Sequence, residues 1–139
     1  MDFDLPPDDH PTRRAVRDWI ATTPRPTAKQ LAEAGYVVPH WPKPWGVEAD
    51  PIDQLIIDDE LARAGISRPG NHIGIGWAAP TIFLAGTPEQ HQRYLPPIFS
   101  GEEIWCQLFS EPDAGSDLAN LSTRAVRDGD EYVVNGSKI

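Results

Sequence analysis

Ile104 to Asp117 reads Ile-Trp-Cys-Gln-Leu-Phe-Ser-Glu-Pro-Asp-Ala-Gly-Ser-Asp, an apolar segment that runs directly into a polar turn. Residues 104–109 have the length, the alternation and the aromatic content typical of a β-strand. The residues that follow include the proline and glycine typical of a turn. We therefore expect a strand that delivers a polar loop to a fixed place, where Gly115 lets the backbone approach a ligand closely.

Two turn signals follow this loop. Residues 123–127 and 131–135 have strand-like composition and flank Asp128-Gly129-Asp130, which is typical of a β-hairpin. Asn135-Gly136 is a second turn signal, and we expect the third strand that it would start to be absent. After Gly101 the hydrophobic pattern thus changes from helical to alternating.

Before Gly101 the sequence carries the start and stop signals of helices. Thr27 with Gln30, and Thr87 with Gln90, each form a capping-box pattern at the start of a predicted helix. The predicted elements are a helix from Pro11 to Ala21, a short helix ending at Gly35, a loop from Pro39 to Gly46, a helix from Asp50 to Gly65, and a last helix that ends at Pro96-Pro97. We expect Trp41 and Trp45 to pack the loop onto the helices rather than stack on a ligand.

The helix after Asp50 is the strongest core candidate in this half of the chain. Its apolar residues lie on two sides, so we expect it to be packed on two faces. One side holds Ile52, Leu55, Ile56 and Ala62, and the other holds Ile57, Leu61 and Ala64. The acidic run at residues 58–60 is expected to form a solvated face without a catalytic role, because adjacent positions do not face each other on a helix.

Charge and composition exclude several classes of partner. The 139 residues carry 12 Lys and Arg against 21 Asp and Glu, a net charge of -9, so nucleic acids and anionic membrane surfaces would be repelled. The sequence has no signal peptide pattern and no apolar run of spanning length. Cys106 is the only cysteine, which excludes an intramolecular disulfide, makes a cytoplasmic location the expectation, and indicates a small core residue rather than a nucleophile.

Residues 110–117 resemble the signature of the acyl-CoA dehydrogenase family, and residues 85–90, 94–101, 123–125 and 129–139 resemble further family motifs in the expected order. The resemblance covers the chain from Gln30 to Ile139. It implies an α+β fold in which an all-α helical domain, residues 1–101, precedes the first strands of an antiparallel β-barrel-like domain, residues 102–139, which is truncated. The resemblance also places the apolar stretch 71–84 beside the acyl chain of a substrate; close helix packing explains its glycines equally well.

The resemblance implies FAD as the cofactor. Gln107, Leu108 and Phe109 would run along the isoalloxazine ring, with their backbone groups on its pyrimidine edge. Ser110 would form a hydrogen bond near N5 and O4, where a hydride arrives. Gly115 and Ser116 would serve the pyrophosphate, and Ser116 would also touch the CoA side of the substrate. Two residues depart from the common family pattern: Ser110 replaces a threonine, and Asp113 replaces a glycine and adds negative charge near anionic ligands.

The implied reaction is α,β-dehydrogenation of an acyl-CoA thioester in lipid metabolism, as in fatty acid β-oxidation, with an electron-transfer flavoprotein as acceptor. The catalytic base is expected outside this chain, in a C-terminal helical bundle that also forms most of a homo- or hetero-oligomeric interface. We expect the chain alone to bind FAD weakly or not at all and to be inactive. An acyl-CoA oxidase, a non-catalytic partner subunit and an inactive remnant are alternatives.

Overall fold

The computed structural model describes residues 6–139, which divide into two compact units, one ending at Trp105 and one spanning Cys106–Ile139. The first unit contains only helices and loops. Its helices are α1 (Pro11–Thr22), α2 (Ala28–Glu33), α3 (Pro51–Arg63), a π-helical turn (Gly74–Ala78) that runs into α4 (Ala79–Ala85), and α5 (Pro88–Ser100). The second unit contains a 3-10 turn (Leu118–Asn120) and the strands β1 (Arg124–Asp128) and β2 (Glu131–Asn135). No helix in residues 6–139 is both long enough and apolar enough to cross a membrane.

The helix starts predicted from capping patterns are confirmed. Thr27 and Thr87 each accept a hydrogen bond from the backbone three residues later, and the glutamine side chain at that position bonds back to the threonine N–H. At the start of α3 the Asp50 side chain accepts a hydrogen bond from the backbone N–H of Asp53, without the reciprocal bond. The chain leaves α3 through Gly65, which adopts a left-handed conformation with φ of 68°.

The prediction that Pro96-Pro97 ends the last helix is wrong. Helix α5 continues through both prolines to Ser100, and Gly101 with φ of 72° terminates it. Each proline lacks the N–H that would bond the carbonyl four residues earlier, so the helix loses two internal hydrogen bonds. The core contacts of the last turn offset this loss, because Ile98 and Phe99 are almost completely buried.

The hydrophobic core of the first unit lies between the helices and the loop after α2. Its fully buried members come from all parts of the unit: Val16, Leu31, Ile56, Ile57, Leu61, Ala79, Leu95, Ile98 and Phe99. Trp41 packs edge-on against Phe99 with 5.4 Å between ring centroids, and Trp45 lies 6.2 Å from the same ring. The prediction that the two tryptophans pack the loop onto the helices is confirmed.

Helix α3 is buried on one face only, so the prediction of two packed faces is wrong. Ile56, Ile57 and Leu61 are at most 2% exposed, whereas Ile52 and Leu55 remain about half exposed. The acidic run is not a uniformly solvated face either, because Glu60 is 5% exposed. The arginines of α1 explain this burial.

Two arginines of α1 surround Glu60. Arg13, only 2% exposed, pairs with both Glu60 and Asp59, while Arg17 donates to the two Glu60 oxygens at 2.8 and 2.9 Å. Hydrogen bonds from Arg17 and then Arg13 lower the pKa of the Glu60 carboxyl against the opposing effect of burial. A buried carboxylate is therefore tolerated because α1 brings two cations to it.

The second unit contains the predicted hairpin. Strands β1 and β2 pair antiparallel, with Asp128 opposite Glu131 and the left-handed Gly129 in the turn. Residues 104–109 do not form the predicted strand, because no neighbouring strand in the described chain pairs with their backbone. Cys106 is exposed, which contradicts its prediction as a core residue.

Candidate functional site

The second unit contains a tight turn at residues 111–114. The N–H of Glu111 donates to the carbonyl of Ala114 at 2.8 Å, and the N–H of Ala114 donates back at 3.1 Å. Pro112 and Asp113 form the tip, and the proline suits the second position of a common β-turn. Asp113 does not adopt a left-handed conformation; among the described non-glycine residues only Glu48 does. The aspartate in place of glycine therefore introduces no backbone strain.

The carboxylate of Glu111 anchors this turn. It accepts hydrogen bonds from the Ser122 N–H at 2.7 Å, the Ser122 hydroxyl at 2.9 Å and the Thr123 N–H at 3.0 Å, and it pairs with the Lys138 ammonium at 3.0 Å. Glu111 is 4% exposed. Hydrogen bonding by Thr123, then by Ser122 and Lys138, holds the pKa of its carboxyl far below the ordinary value.

Such a carboxylate is unsuited to general acid or base work. It stays charged at neutral pH, and both of its oxygens are already engaged by donors. Its four contacts instead link the turn to the segments before and after the hairpin. Glu111 is therefore a structural residue of the turn.

The segment at residues 138–139 also holds the backbone just before the turn. Lys138 donates to the carbonyl of Phe109 at 3.0 Å, and the N–H of Ile139 donates to the carbonyl of Ser110 at 3.1 Å. Both carbonyls therefore face residues 138–139. Lys138 was not among the predicted site residues, although it is the single basic residue after Arg127.

The residues predicted to contact a cofactor surround this anchored turn. Gln107, Leu108 and Phe109 precede it and are exposed, with Leu108 58% and Phe109 64% accessible. Ser110 is half-buried, and Gly115 and Ser116 are exposed on the other side of the turn. Apolar side chains, a hydroxyl and a glycine thus lie within one short segment.

This donor set fits a flavin. An exposed apolar segment offers a wall for a flat ring, and the Ser110 and Ser116 hydroxyls are donors suited to its polar edge and to phosphate oxygens. A Cβ added at Gly115 would have no other atom within 4 Å, so a ligand can approach the backbone there.

The helical unit carries a cleft of about 510 Å³ that includes part of the stretch 71–84. Its walls combine apolar and charged side chains: Asp58, Leu61, Ile66, Arg68, His72 and Ile75. Arg68 is fixed there by Asp58 at 2.7 Å and by the Tyr36 carbonyl at 2.7 Å. A smaller cleft of about 400 Å³, next to Trp45 and Phe99, contains none of the predicted site residues. Residues 6–139 hold no cluster of three or more potential metal ligands.

Comparison with known proteins defines the class to which this fold and site belong. A family model described as "Acyl-CoA dehydrogenase, N-terminal domain" matches residues 10–102. The chain belongs to the acyl-CoA dehydrogenase family, and the predicted α+β class, a helical domain followed by the start of a β-domain, is confirmed.

Individual relatives extend this result. The chain is 54% identical over 125 residues to the acyl-CoA dehydrogenase FadE34 of Mycobacterium tuberculosis, covering 90% of this chain and 17% of FadE34. It is similar to the ChsE4-ChsE5 complex of the same organism, with a TM-score of 0.65 and 40% identity, covering 100% of this chain and 39% of that one. A Tcur3481-Tcur3483 steroid ACAD variant matches with a TM-score of 0.63 and 38% identity, covering 97% and 35% of the two chains. The chain thus spans well under half the length of these relatives.

Proposed function

We propose that this chain contributes the N-terminal helical domain and one FAD-contacting loop of an acyl-CoA dehydrogenase. The observation that carries the proposal is the turn anchored by Glu111, which presents Ser110 on one side and Gly115 and Ser116 on the other. The family is FAD-dependent, and the residues of the turn fit a flavin. Residues 1–101 and 102–139 are proposed as the two domain segments.

Each site residue has a proposed task. Gln107, Leu108 and Phe109 line the isoalloxazine, and Ser110 donates a hydrogen bond to its polar edge. The exposed backbone at Gly115 and the hydroxyl of Ser116 bind phosphate oxygens, and Ser116 also contacts the substrate. Because the chain carries a large negative charge, these local donors must offset long-range repulsion of the anionic cofactor.

FAD, when bound, supplies the two-electron acceptor for dehydrogenation of a thioester at its α and β carbons. The part of this chain is to hold and orient that cofactor. Glu111 cannot serve as the base that removes the α-proton, because its pKa is lowered and its oxygens are engaged. We therefore assign the base to a residue outside this chain, and an electron-transfer flavoprotein to the reoxidation step.

The substrate is proposed to be an acyl-CoA with a bulky acyl group. Two of the similar structures are described as a steroid ACAD, and three similar structures are named as pairs of proteins. The cleft beside Ile75 gives the helical unit an apolar wall for such a group. Assembly with a second, related chain is proposed on the same basis.

The test uses the native protein that contains this chain. We expect one FAD per chain, and reduction of its visible absorption on addition of a steroid-type acyl-CoA. Ser110→Ala should weaken FAD binding about tenfold, the effect of losing one strong hydrogen bond. Ser100→Ala, at a serine outside the predicted site, is the matched control. Absence of flavin from the native protein would refute the proposal.

Two alternatives predict different results in the same assay. An acyl-CoA oxidase would consume oxygen with no electron-transfer flavoprotein present. A non-catalytic partner subunit would form a stable complex with a longer relative but would show no flavin reduction when purified away from it.

A further inference from the structure

We propose that Lys138 is a positioning residue for the cofactor loop, which deepens the proposed function and rests on it. Its ammonium contacts two groups at once: the Glu111 carboxylate and the Phe109 carbonyl, each at 3.0 Å. The Lys138 side chain is 21% exposed, so most of it is covered. One cation thereby joins the anchor of the turn to the backbone that leads into it.

The contact with Phe109 fixes the orientation of one peptide plane. The peptide joining Phe109 and Ser110 is trans, so its N–H points opposite to its carbonyl. Because the carbonyl faces the Lys138 ammonium, the Ser110 N–H faces away from that ammonium. Among residues 6–139 it meets no backbone acceptor.

The peptide that joins Ser110 and Glu111 is also held by hydrogen bonds. The Ser110 carbonyl accepts from the Ile139 N–H at 3.1 Å, and the Glu111 N–H on the opposite side closes the turn onto Ala114. Ser110 therefore lies between two peptide planes that are both fixed by residues 138–139. Lys138 acts on the cofactor through this orientation and does not contact the cofactor itself.

The charges of the Lys138 ammonium and the Glu111 carboxylate, together with the dipole of the Phe109 carbonyl, favour this arrangement. A charged carboxylate next to an ammonium makes a charge-assisted hydrogen bond, which is stronger than a neutral one. Loss of the ammonium would leave Glu111 with its serine and threonine donors only. The turn would remain closed, but the Phe109–Ser110 peptide would be free to rotate.

The test compares Lys138→Met, Lys138→Gln and Lys138→Arg in the native protein, with Lys29→Met as a control at an exposed lysine on α2. We expect Lys138→Met and Lys138→Gln to raise the FAD dissociation constant about tenfold, and Lys138→Arg to restore most of the affinity. The visible absorption bands of bound FAD should lose fine structure in the first two variants only. Amide exchange at Ile139 in the flavin-free protein should become faster in the same two variants.

The outcomes separate this proposal from the proposed function. If the unaltered protein binds no FAD, the proposed function fails. If it binds FAD and Lys138→Met binds with the same affinity and spectrum, the role of Lys138 is refuted while the proposed function stands. Combining Lys138→Gln with Glu111→Gln should cost less than the sum of the two single effects, and strict additivity would also refute the role of Lys138.

Discussion

The side-chain oxygen of Asn71 accepts a hydrogen bond from the backbone N–H of Trp105, with 3.1 Å between the two atoms. The amide nitrogen of Asn71 donates to the carbonyls of Ile98 and Glu103 at 3.1 and 2.9 Å. The side chain is 1% exposed. One buried amide thus fixes the end of α5 and the segment that follows it.

Replacing Asn71 by leucine should lower the free energy of unfolding by about 2–3 kcal/mol, because one donor and two acceptors lose their partner. Urea denaturation would measure the change. Asn120, an exposed asparagine with one hydrogen bond to the Asp113 carbonyl, is the matched control, and Asn120→Leu should have little effect. Equal effects of the two substitutions would contradict the role of Asn71.

Gly74 is required by the position of the Asn71 side chain. A Cβ at Gly74 would overlap the Asn71 carboxamide, so Gly74→Ala should destabilise the protein by about 1–3 kcal/mol. Gly76 lies in the same π-helical turn with no atom within 4 Å of an added Cβ. Gly76→Ala should be neutral or slightly stabilising in the same denaturation experiment. If Gly76→Ala destabilised the protein more than Gly74→Ala, the close packing of Gly74 against Asn71 would be contradicted.

Glu60 should be among the most sensitive acidic positions. Glu60→Ala leaves Arg13 buried with Asp59 as its remaining acidic partner and should cost about 3 kcal/mol of unfolding free energy. Glu33→Ala, at an exposed position on α2, should change it by less than about 0.5 kcal/mol. Thermal denaturation of both variants, compared with the unaltered chain, distinguishes a buried ion pair from a solvated acidic face.

The contribution of Glu111 to stability should depend on pH in a defined direction. Its pKa is lowered in the folded state, so its stabilising effect is complete above the ordinary glutamate pKa of about 4.3 and is lost as pH falls through the lowered value. The stability difference between the unaltered protein and Glu111→Gln should be constant between about pH 5 and 7 and should shrink below about pH 4. A difference that shrinks near pH 6 would contradict the anchored carboxylate.

Local signals predicted the helix starts and the hairpin, because each depends on residues close in sequence. The capping box contains both of its hydrogen-bonding partners, Thr27 and Gln30. The hairpin contains its own turn, Asp128-Gly129-Asp130. The end of α5 was predicted wrongly because Pro96-Pro97 disfavours a helix locally, while the burial of Phe99 favours it through distant contacts.

The wrong predictions share one cause: the structure at these positions depends on contacts with distant parts of the chain. The burial of Glu60 depends on arginines more than 40 positions away, and no local pattern reveals them. Residues 104–109 have strand composition, but a strand also needs a paired neighbour. In the site, the motif indicated Ser110 and Gly115 directly, whereas Lys138 became visible only once the fold placed it against Glu111.

The most direct test of a flavin at this loop is FAD binding by the native protein and its Gly115→Ala variant. Alanine meets no atom within 4 Å at Gly115, so the fold should tolerate it, and a loss of affinity would report close approach of the cofactor. Gly70→Ala, at an equally open glycine of the helical unit, is the control. We predict one FAD per chain, about tenfold weaker binding in Gly115→Ala and unchanged binding in Gly70→Ala. A native protein without FAD, or equal affinity in all three proteins, would contradict the proposed cofactor loop.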